Sequence, residues 1–301
     1  MSEYQYYEFR TLDRSLTEAQ IVELEKLSSS AEITPTSYTN TYNYGDFRGK
    51  PERMMEKYFD AFVHVANWGT RHLMLKLPAS GVDRTAIKAY AGGGLSFWSK
   101  GGFLILSFRY HGEGEGGWED GEGWLTGLIA LRKELQGGDL RPLYLGWLAG
   151  LYSDIEDDDD NPEPPVPPGL KSLTAAQDNL AAFLRIYTDL LELAAERSVK
   201  RAAAKKPSQA QFAQWLKSQP AAQRQAWLLK LLGNSAPSTR SEIQLEFRQS
   251  LPAQPSASKA LTMPPRTCKE FRDTLEARRV AERLREEQTA AKKPRPSKTR
   301  R

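Results

Sequence analysis

The sequence predicts an α+β fold: an N-terminal mixed sheet packed by helices, followed by a helical unit and a basic, largely disordered C-terminal tail. Short stretches rich in Tyr, Phe, Val and Ile, separated by turn residues, fill the first 110 residues and indicate strands. Apolar residues at three- and four-residue spacing after residue 170 indicate helices. The last stretch is rich in Ala, Lys, Arg and Pro, a composition typical of chain that buries no core.

Strands in the first 110 residues are predicted over 4–11, 32–44 and 72–77, and as a hairpin of 95–99 with 103–110 around Lys100-Gly101-Gly102. Helices are predicted where apolar side chains recur at helical spacing. These helices cover 21–27, 51–66, 83–90, 124–135 and 140–152. Pro51 suits the first turn of the second helix, because a backbone N–H at that position would have no partner within the helix, so its absence in proline costs nothing there.

The second half of the chain is predicted to be mostly helical. One long helix covers 173–198, two short helices flank Pro220 within 209–232, and a charged helix covers 268–292. The chain is therefore expected to consist of four parts. They are an α+β domain (1–155), an acidic and Pro-rich linker (156–170), a helical unit (171–235), and a last segment (236–301) with a Pro/Ser-rich linker, the charged helix and the basic tail.

Charge is distributed unevenly along the chain, although the formal net charge is only +4. Residues 1–110 carry 13 basic and 12 acidic groups, and residues 111–170 carry 3 basic and 14 acidic groups. Residues 171–301 carry 26 basic and 12 acidic groups. This asymmetry suggests an electrostatic partner for each half, or each half as the partner of the other.

The function predicted from these charges is that of a non-enzymatic accessory or binding protein. Its basic C-terminal half would contact nucleic acid or another polyanion, and its N-terminal domain would contact a protein partner. No cofactor is predicted, because neither glycine-rich segment has the order of residues that phosphate binding needs. The cations expected to bind the anion are Arg278, Arg279, Arg283, Arg285, Lys292, Lys293, Arg295, Lys298, Arg300 and Arg301.

Two alternatives to this function stay open. In the first, the protein is a hydrolase-type enzyme using Asp60 and His64, which would align with Glu56 on one face of the predicted helix 51–66. The same spacing is also typical of a helix surface that faces water. No metal site is predicted. In the second, the protein is a self-inhibited scaffold whose acidic run, 154–160, is held against the basic half.

A row of tyrosines on the predicted strand 32–44 has two interpretations. Tyr38, Tyr42 and Tyr44 have the same parity, so their side chains point the same way. An exposed row would be a stacking platform for single-stranded nucleic acid, and a buried row would be part of the core.

The expected compartment is the cytoplasm. The N-terminus lacks a basic segment followed by an apolar run, no run of about 18 apolar residues predicts a membrane helix, and a single cysteine, Cys268, cannot form an internal disulfide. Cys268 itself, where the Pro/Ser-rich linker meets the charged helix, is expected to be a surface thiol. No membrane contact is predicted.

Several strings carry a resemblance to a known family. They are Tyr6-Tyr7-Glu8-Phe9-Arg10, residues 29–37 (SSAEITPTS), Ala66-Asn67-Trp68-Gly69-Thr70 and residues 164–169 (PPVPPG). Over roughly residues 1–235 the chain resembles a family of bacterial proteins without known function. The resemblance implies a bacterial, cytoplasmic protein with a single architecture up to about residue 235, and it assigns no functional residue.

Overall fold

A computed structural model describes residues 4–45, 47–79, 82–112, 120–151, 160–201, 208–232, 236–250 and 264–292. Its strands are β1 (Gln5–Arg10), β2 (Glu32–Thr34), β3 (Ser37–Tyr42), β4 (Ala61–Ala66), β5 (Arg71–Pro78), β6 (Leu95–Lys100) and β7 (Phe103–Tyr110). Its helices are α1 (Glu18–Glu25), α2 (Pro51–Lys57), α3 (Arg84–Lys88), α4 (Trp124–Leu128), α5 (Ala130–Gln136), α6 (Arg141–Ala149), α7 (Ala175–Phe183), α8 (Thr188–Ala195), α9 (Gln209–Ser218), α10 (Ala221–Leu232), α11 (Ala236–Ser250) and α12 (Cys268–Lys292).

The strands form one seven-stranded sheet in the order β2-β3-β1-β4-β5-β7-β6. The predicted α+β class is confirmed, but the sheet is not mixed, since every described strand pair is antiparallel. Three of the pairs, β2–β3, β4–β5 and β6–β7, are hairpins with short connections, which parallel neighbours could not have because they need a long crossover. In the predicted hairpin, Gly101 and Gly102 have φ of 58° and 80°, which a tight turn between twisted strands requires. No described helix is long and apolar enough to cross a membrane.

Helices pack on both faces of the sheet. On one face α4 lies against β4, α5 against β5, and α6 against β6 and β7, enclosing a large apolar cluster. On the other face α1 and α2 cover a smaller cluster that includes Phe9, Phe62 and Met74. Alternating strand residues supply the two clusters, as the twofold period of a strand requires.

The predicted helix 51–66 is wrong in its second half. The helix α2 ends at Lys57, and Ala61–Ala66 is strand β4, central in the sheet and buried on both faces. A strand buried on both faces shows no polar alternation, so its apolar residues continued the helical spacing by coincidence. The β-branched and aromatic residues Phe62, Val63 and Val65 favour the strand.

Two other predicted elements are split. The strand predicted over 32–44 is a hairpin of β2 and β3, turning at Pro35 and Thr36, where Thr36 N donates to Thr34 Oγ1 at 3.2 Å. The helix predicted over 173–198 is two helices, α7 and α8. Between them Arg185 has a φ of 51°, a left-handed conformation that ends the first helix.

The helices of the second half complete the larger cluster. Leu180 of α7, Leu193 of α8 and Phe271 of α12 are buried in it, so it extends beyond the predicted boundary at residue 155. Helices α9 to α11 enclose a separate aromatic group in which Trp215 stacks on Trp227 at 5.7 Å. Residues 243–247, which alternate like a strand, lie within α11.

Candidate functional site

The charged helix α12 carries the predicted anion-binding arginines, and its first two turns are anchored in the core. Cys268, Phe271 and Leu275 are spaced to lie on one helix face, and all three are buried. The prediction that Cys268 is a surface thiol is therefore wrong, because its side chain is part of the apolar stripe that docks the helix. The ring of Phe271 lies 6.2 Å from that of Trp147 on α6.

A buried ion pair, which we call the clasp, fixes the start of α12. Arg266 donates to the Glu163 carboxylate from Nε at 2.8 Å and from Nη2 at 3.0 Å. Tyr144 donates to the same carboxylate at 2.5 Å. Burial, together with the Glu163 charge, raises the pKa of Tyr144 above its ordinary value, so its phenol remains a donor. Backbone bonds from Glu163 N to Arg266 O and from Cys268 N to Asn161 O, both of 2.8 Å, complete the clasp.

Two of the predicted anion-binding arginines already hold carboxylates of the same chain. Arg278 donates to Glu196 at 2.6 and 2.7 Å, and Arg279 donates to Asp189 at 2.6 and 3.3 Å. The hydrogen bonds from these arginines lower the pKa of both Glu196 and Asp189. These pairs join α12 to the region of α8, which leaves Arg278 and Arg279 less available to an external anion.

Beyond Val280 the character of α12 changes. Residues 281–289 are all exposed, including Arg283 and Arg285. Among the described residues, the only ion pair of Arg283 is a long contact of 3.8 Å with the exposed Glu276. Arg285 forms no ion pair with a residue that the structure describes. Only the backbone of Lys292 is described, and Lys293, Arg295, Lys298, Arg300 and Arg301 lie outside the described residues. The acidic run 154–160 also lies outside them, except for the exposed Asp160.

The tyrosine row divides between core and surface. Tyr38 is fully buried with its ring edge-on to Phe9 at 5.8 Å, so it offers no face to a base. Tyr42 is half-buried and accepts a hydrogen bond from Asn40 at 2.9 Å. Tyr44 follows the end of β3 and is 81% exposed, so within this row only its ring is open to stacking.

Asp60 and His64 are held by separate groups. Asp60 is buried, accepts from the backbone N–H of Leu12 at 2.8 Å, and lies 3.3 Å from Lys76 Nζ. His64 Nε2 lies 3.2 Å from Gln5 Oε1, and its ring stacks on Tyr7 at 4.3 Å. Because β4 is a strand, the predicted alignment of Glu56, Asp60 and His64 on one helix face is wrong. No described group of three His, Cys, Asp or Glu side chains could hold a metal ion.

A polar row on the sheet escaped the sequence analysis. On β1, Tyr6, Glu8 and Arg10 point to the face that carries the larger cluster, while Tyr7 and Phe9 belong to the other face. Glu8 lies opposite Thr39 of β3, and Thr39 lies opposite Glu32 of β2. Strand parity within Tyr6-Tyr7-Glu8-Phe9-Arg10 was the signal that could have revealed it.

Two cavities adjoin each other here, and the polar row lines the first of them. The first, of about 580 Å³, is lined by Glu8, Glu32 and Glu122, among others. The second, of about 900 Å³, lies between α5 and α11 and is lined by Lys133 and Arg240, among others. Glu8 is buried on the floor of the first cavity and accepts from Tyr6 Oη at 3.2 Å and Arg10 Nε at 2.6 Å. Burial and the Glu8 charge raise the pKa of Tyr6, so this phenol donates.

Comparison with known proteins identifies no relative of this chain. No protein-family model, no curated protein and no solved structure matches it. The resemblance to a bacterial family therefore stays a prediction, and the function has to be argued from the geometry of the chain.

Proposed function

We propose that this chain is a non-enzymatic binding protein that contacts nucleic acid or another polyanion through the part of α12 beyond Val280 and the residues that follow it. Its N-terminal domain contacts a protein partner. The proposal is narrower than the sequence-based one, because Arg278 and Arg279 serve to anchor the helix on Glu196 and Asp189.

The observation that carries the proposal is the division of α12 into an anchored and an exposed part. Cys268, Phe271 and Leu275 hold the first part in the core, whereas residues 281–289 are all exposed. Residues 281–301 contain eight basic and three acidic side chains, a net charge of +5. Within the exposed stretch 281–289 these are Arg283 and Arg285 with three glutamates, and five of the eight basic side chains belong to 293–301, outside the described residues. A basic segment that follows an anchored helix suits a phosphate-rich surface, which cations bind by releasing condensed counterions.

Binding of a labelled DNA duplex, measured by fluorescence anisotropy at several salt concentrations, tests the proposal. If all eight cations contact phosphates, the logarithm of the affinity should fall against the logarithm of the salt concentration with a slope of up to about −7. Replacing Arg283, Arg285, Lys292 and Lys293 together by Gln should reduce that slope by three to four, about 0.9 for each phosphate that is no longer neutralised.

The matched control removes anchored charge instead. The double variant Arg278→Gln/Arg279→Gln should change the slope by less than about one, because both side chains already hold carboxylates. The proposal is wrong if the full chain does not bind the duplex at about 50 mM salt, or if the control weakens binding as much as the variant beyond Val280 does.

A further inference from the structure

We propose that the two adjoining cavities form one groove that binds a short, extended peptide with basic side chains at one end and acidic groups at the other. The inference rests on one part of the proposed function, that the N-terminal domain contacts a protein partner. It specifies the surface that the partner contacts and the kind of segment that binds there. It is independent of the polyanion contact made beyond Val280.

The two cavities adjoin each other. Leu12 and Ile129 line both, so these apolar side chains form a waist between the ends of the groove. The larger cavity alone, at about 900 Å³, approaches the upper end of the range of about 300–1,000 Å³ typical of small-molecule pockets. A groove made of both therefore suits a chain segment better than a compact metabolite.

One end of the groove is acidic. Glu32 and Glu122 are exposed at its rim, and Glu8 lies on its floor. Arg10, which lines this cavity, is engaged by Glu8 at 2.6 Å, and neither rim carboxylate forms an ion pair with a residue that the structure describes. This end favours lysine or arginine side chains and repels phosphate, which separates it from the proposed polyanion contact.

The opposite end is basic. Arg132 is held by both carboxylate oxygens of Asp13 and donates to Lys76 O at 2.7 Å, so its charge is matched within the chain. Lys133 and Arg240 line the same cavity and form no ion pair with a residue that the structure describes. These two cations from α5 and α11 favour the carboxylates of acidic side chains or of a chain terminus.

The wall of the acidic end suits a peptide backbone. Thr36, Ser37 and Thr39 of the β2–β3 hairpin line the acidic cavity, and each hydroxyl can both donate and accept a hydrogen bond. An extended peptide presents N–H and C=O groups alternately, so hydroxyls are versatile partners for it. The groove thus combines opposite charges at its ends, an apolar waist and hydrogen-bonding walls.

The test uses a fluorescein-labelled octapeptide, Lys-Lys-Ser-Gly-Ser-Gly-Glu-Glu, with the full chain at about 150 mM salt. A second octapeptide has Lys at both ends. Anisotropy should show saturable binding of the first peptide, and weaker binding of the second. The variants Glu32→Gln/Glu122→Gln and Lys133→Gln/Arg240→Gln should each weaken binding of the first peptide about three- to tenfold, as expected for two rim ion pairs.

The matched control is Glu18→Gln/Glu25→Gln, which removes two exposed carboxylates from α1 on the other side of the sheet. It should change peptide affinity less than about twofold. The inference is overturned if the first peptide shows no saturable binding up to about 1 mM, or if the control loses as much affinity as the groove variants. It is also overturned if the chain sediments as a dimer that the Glu32→Gln/Glu122→Gln variant dissociates, since a second copy would then occupy the groove.

Failure of this inference can be told apart from failure of the polyanion contact. The groove variants should bind the DNA duplex like the unchanged protein, and the variant beyond Val280 should bind the octapeptide like the unchanged protein. Loss of both activities in one variant would show that the two sites are not separate and would overturn the inference.

Discussion

Replacing Glu163 by Gln is expected to destabilise the protein strongly, because it removes the carboxylate that forms an ion pair with buried Arg266. Arg266 is 7% exposed and Glu163 is 5% exposed, and two hydrogen bonds of 2.8 and 3.0 Å join them. Breaking a buried ion pair from one side leaves an uncompensated charge and costs about 3–5 kcal/mol. The free energy of unfolding of Glu163→Gln should fall by that amount.

The matched control breaks an ion pair that is exposed. Glu196→Gln removes the partner of Arg278, whose pair is about half exposed on both sides, so the cost should be about 0.2–1 kcal/mol. Urea unfolding followed by circular dichroism measures both variants. In addition, the double variant Glu163→Gln/Arg266→Met should cost less than the sum of its single changes, because no buried charge is then left alone. A loss of less than about 1 kcal/mol in Glu163→Gln, equal to the control, would refute the reasoning.

Three further changes follow from the structure of the sheet. Burial lowers the pKa of His64 to about 4, so the neutral imidazole stabilises the fold fully above about pH 6.5, and this contribution is lost as the pH falls toward 4. The variant His64→Phe should therefore lose less stability in acid than the unchanged protein, by at most about 3 kcal/mol. Urea unfolding at pH 7, 5.5 and 4 measures the difference. Gly69→Ala should cost more than about 1 kcal/mol in thermal unfolding, because φ is 105° and the new methyl group would collide with the carbonyl oxygen of Gly112. A neutral result would contradict the turn geometry. Lys76→Met leaves buried Asp60 without its cation and should cost about 3–5 kcal/mol, and a cost near zero would show that the backbone N–H groups suffice.

The parts of the fold that could be predicted are those specified by neighbouring residues. Gly101 and Gly102 supply the left-handed conformations that a tight hairpin needs, and they lie between two stretches of β-favouring residues. Asp83 caps α3 by accepting from the N–H groups of Thr85 and Ala86, and aspartate is a residue that favours this position. In each case a few adjacent residues determine the local conformation.

The parts that could not be predicted depend on tertiary context. Ala61–Ala66 is a strand because it is buried between β1 and β5, and that environment is invisible in the spacing of its apolar residues. The clasp joins residues 103 positions apart, so no local pattern links Glu163 to Arg266. The groove likewise combines residues from β1, β2, α5 and α11, whose proximity follows only from the order of the strands and the packing of the helices.

Hydrogen exchange along α12, with and without the DNA duplex, tests the central claim most directly. In the free protein the amides of residues 271–279 should exchange slowly and those of 283–292 rapidly, since only the first part is docked in the core. Adding the duplex should slow exchange beyond Val280 and leave the groove unchanged. Slowed exchange confined to another surface, or equal protection along the whole helix before the duplex is added, would contradict the account.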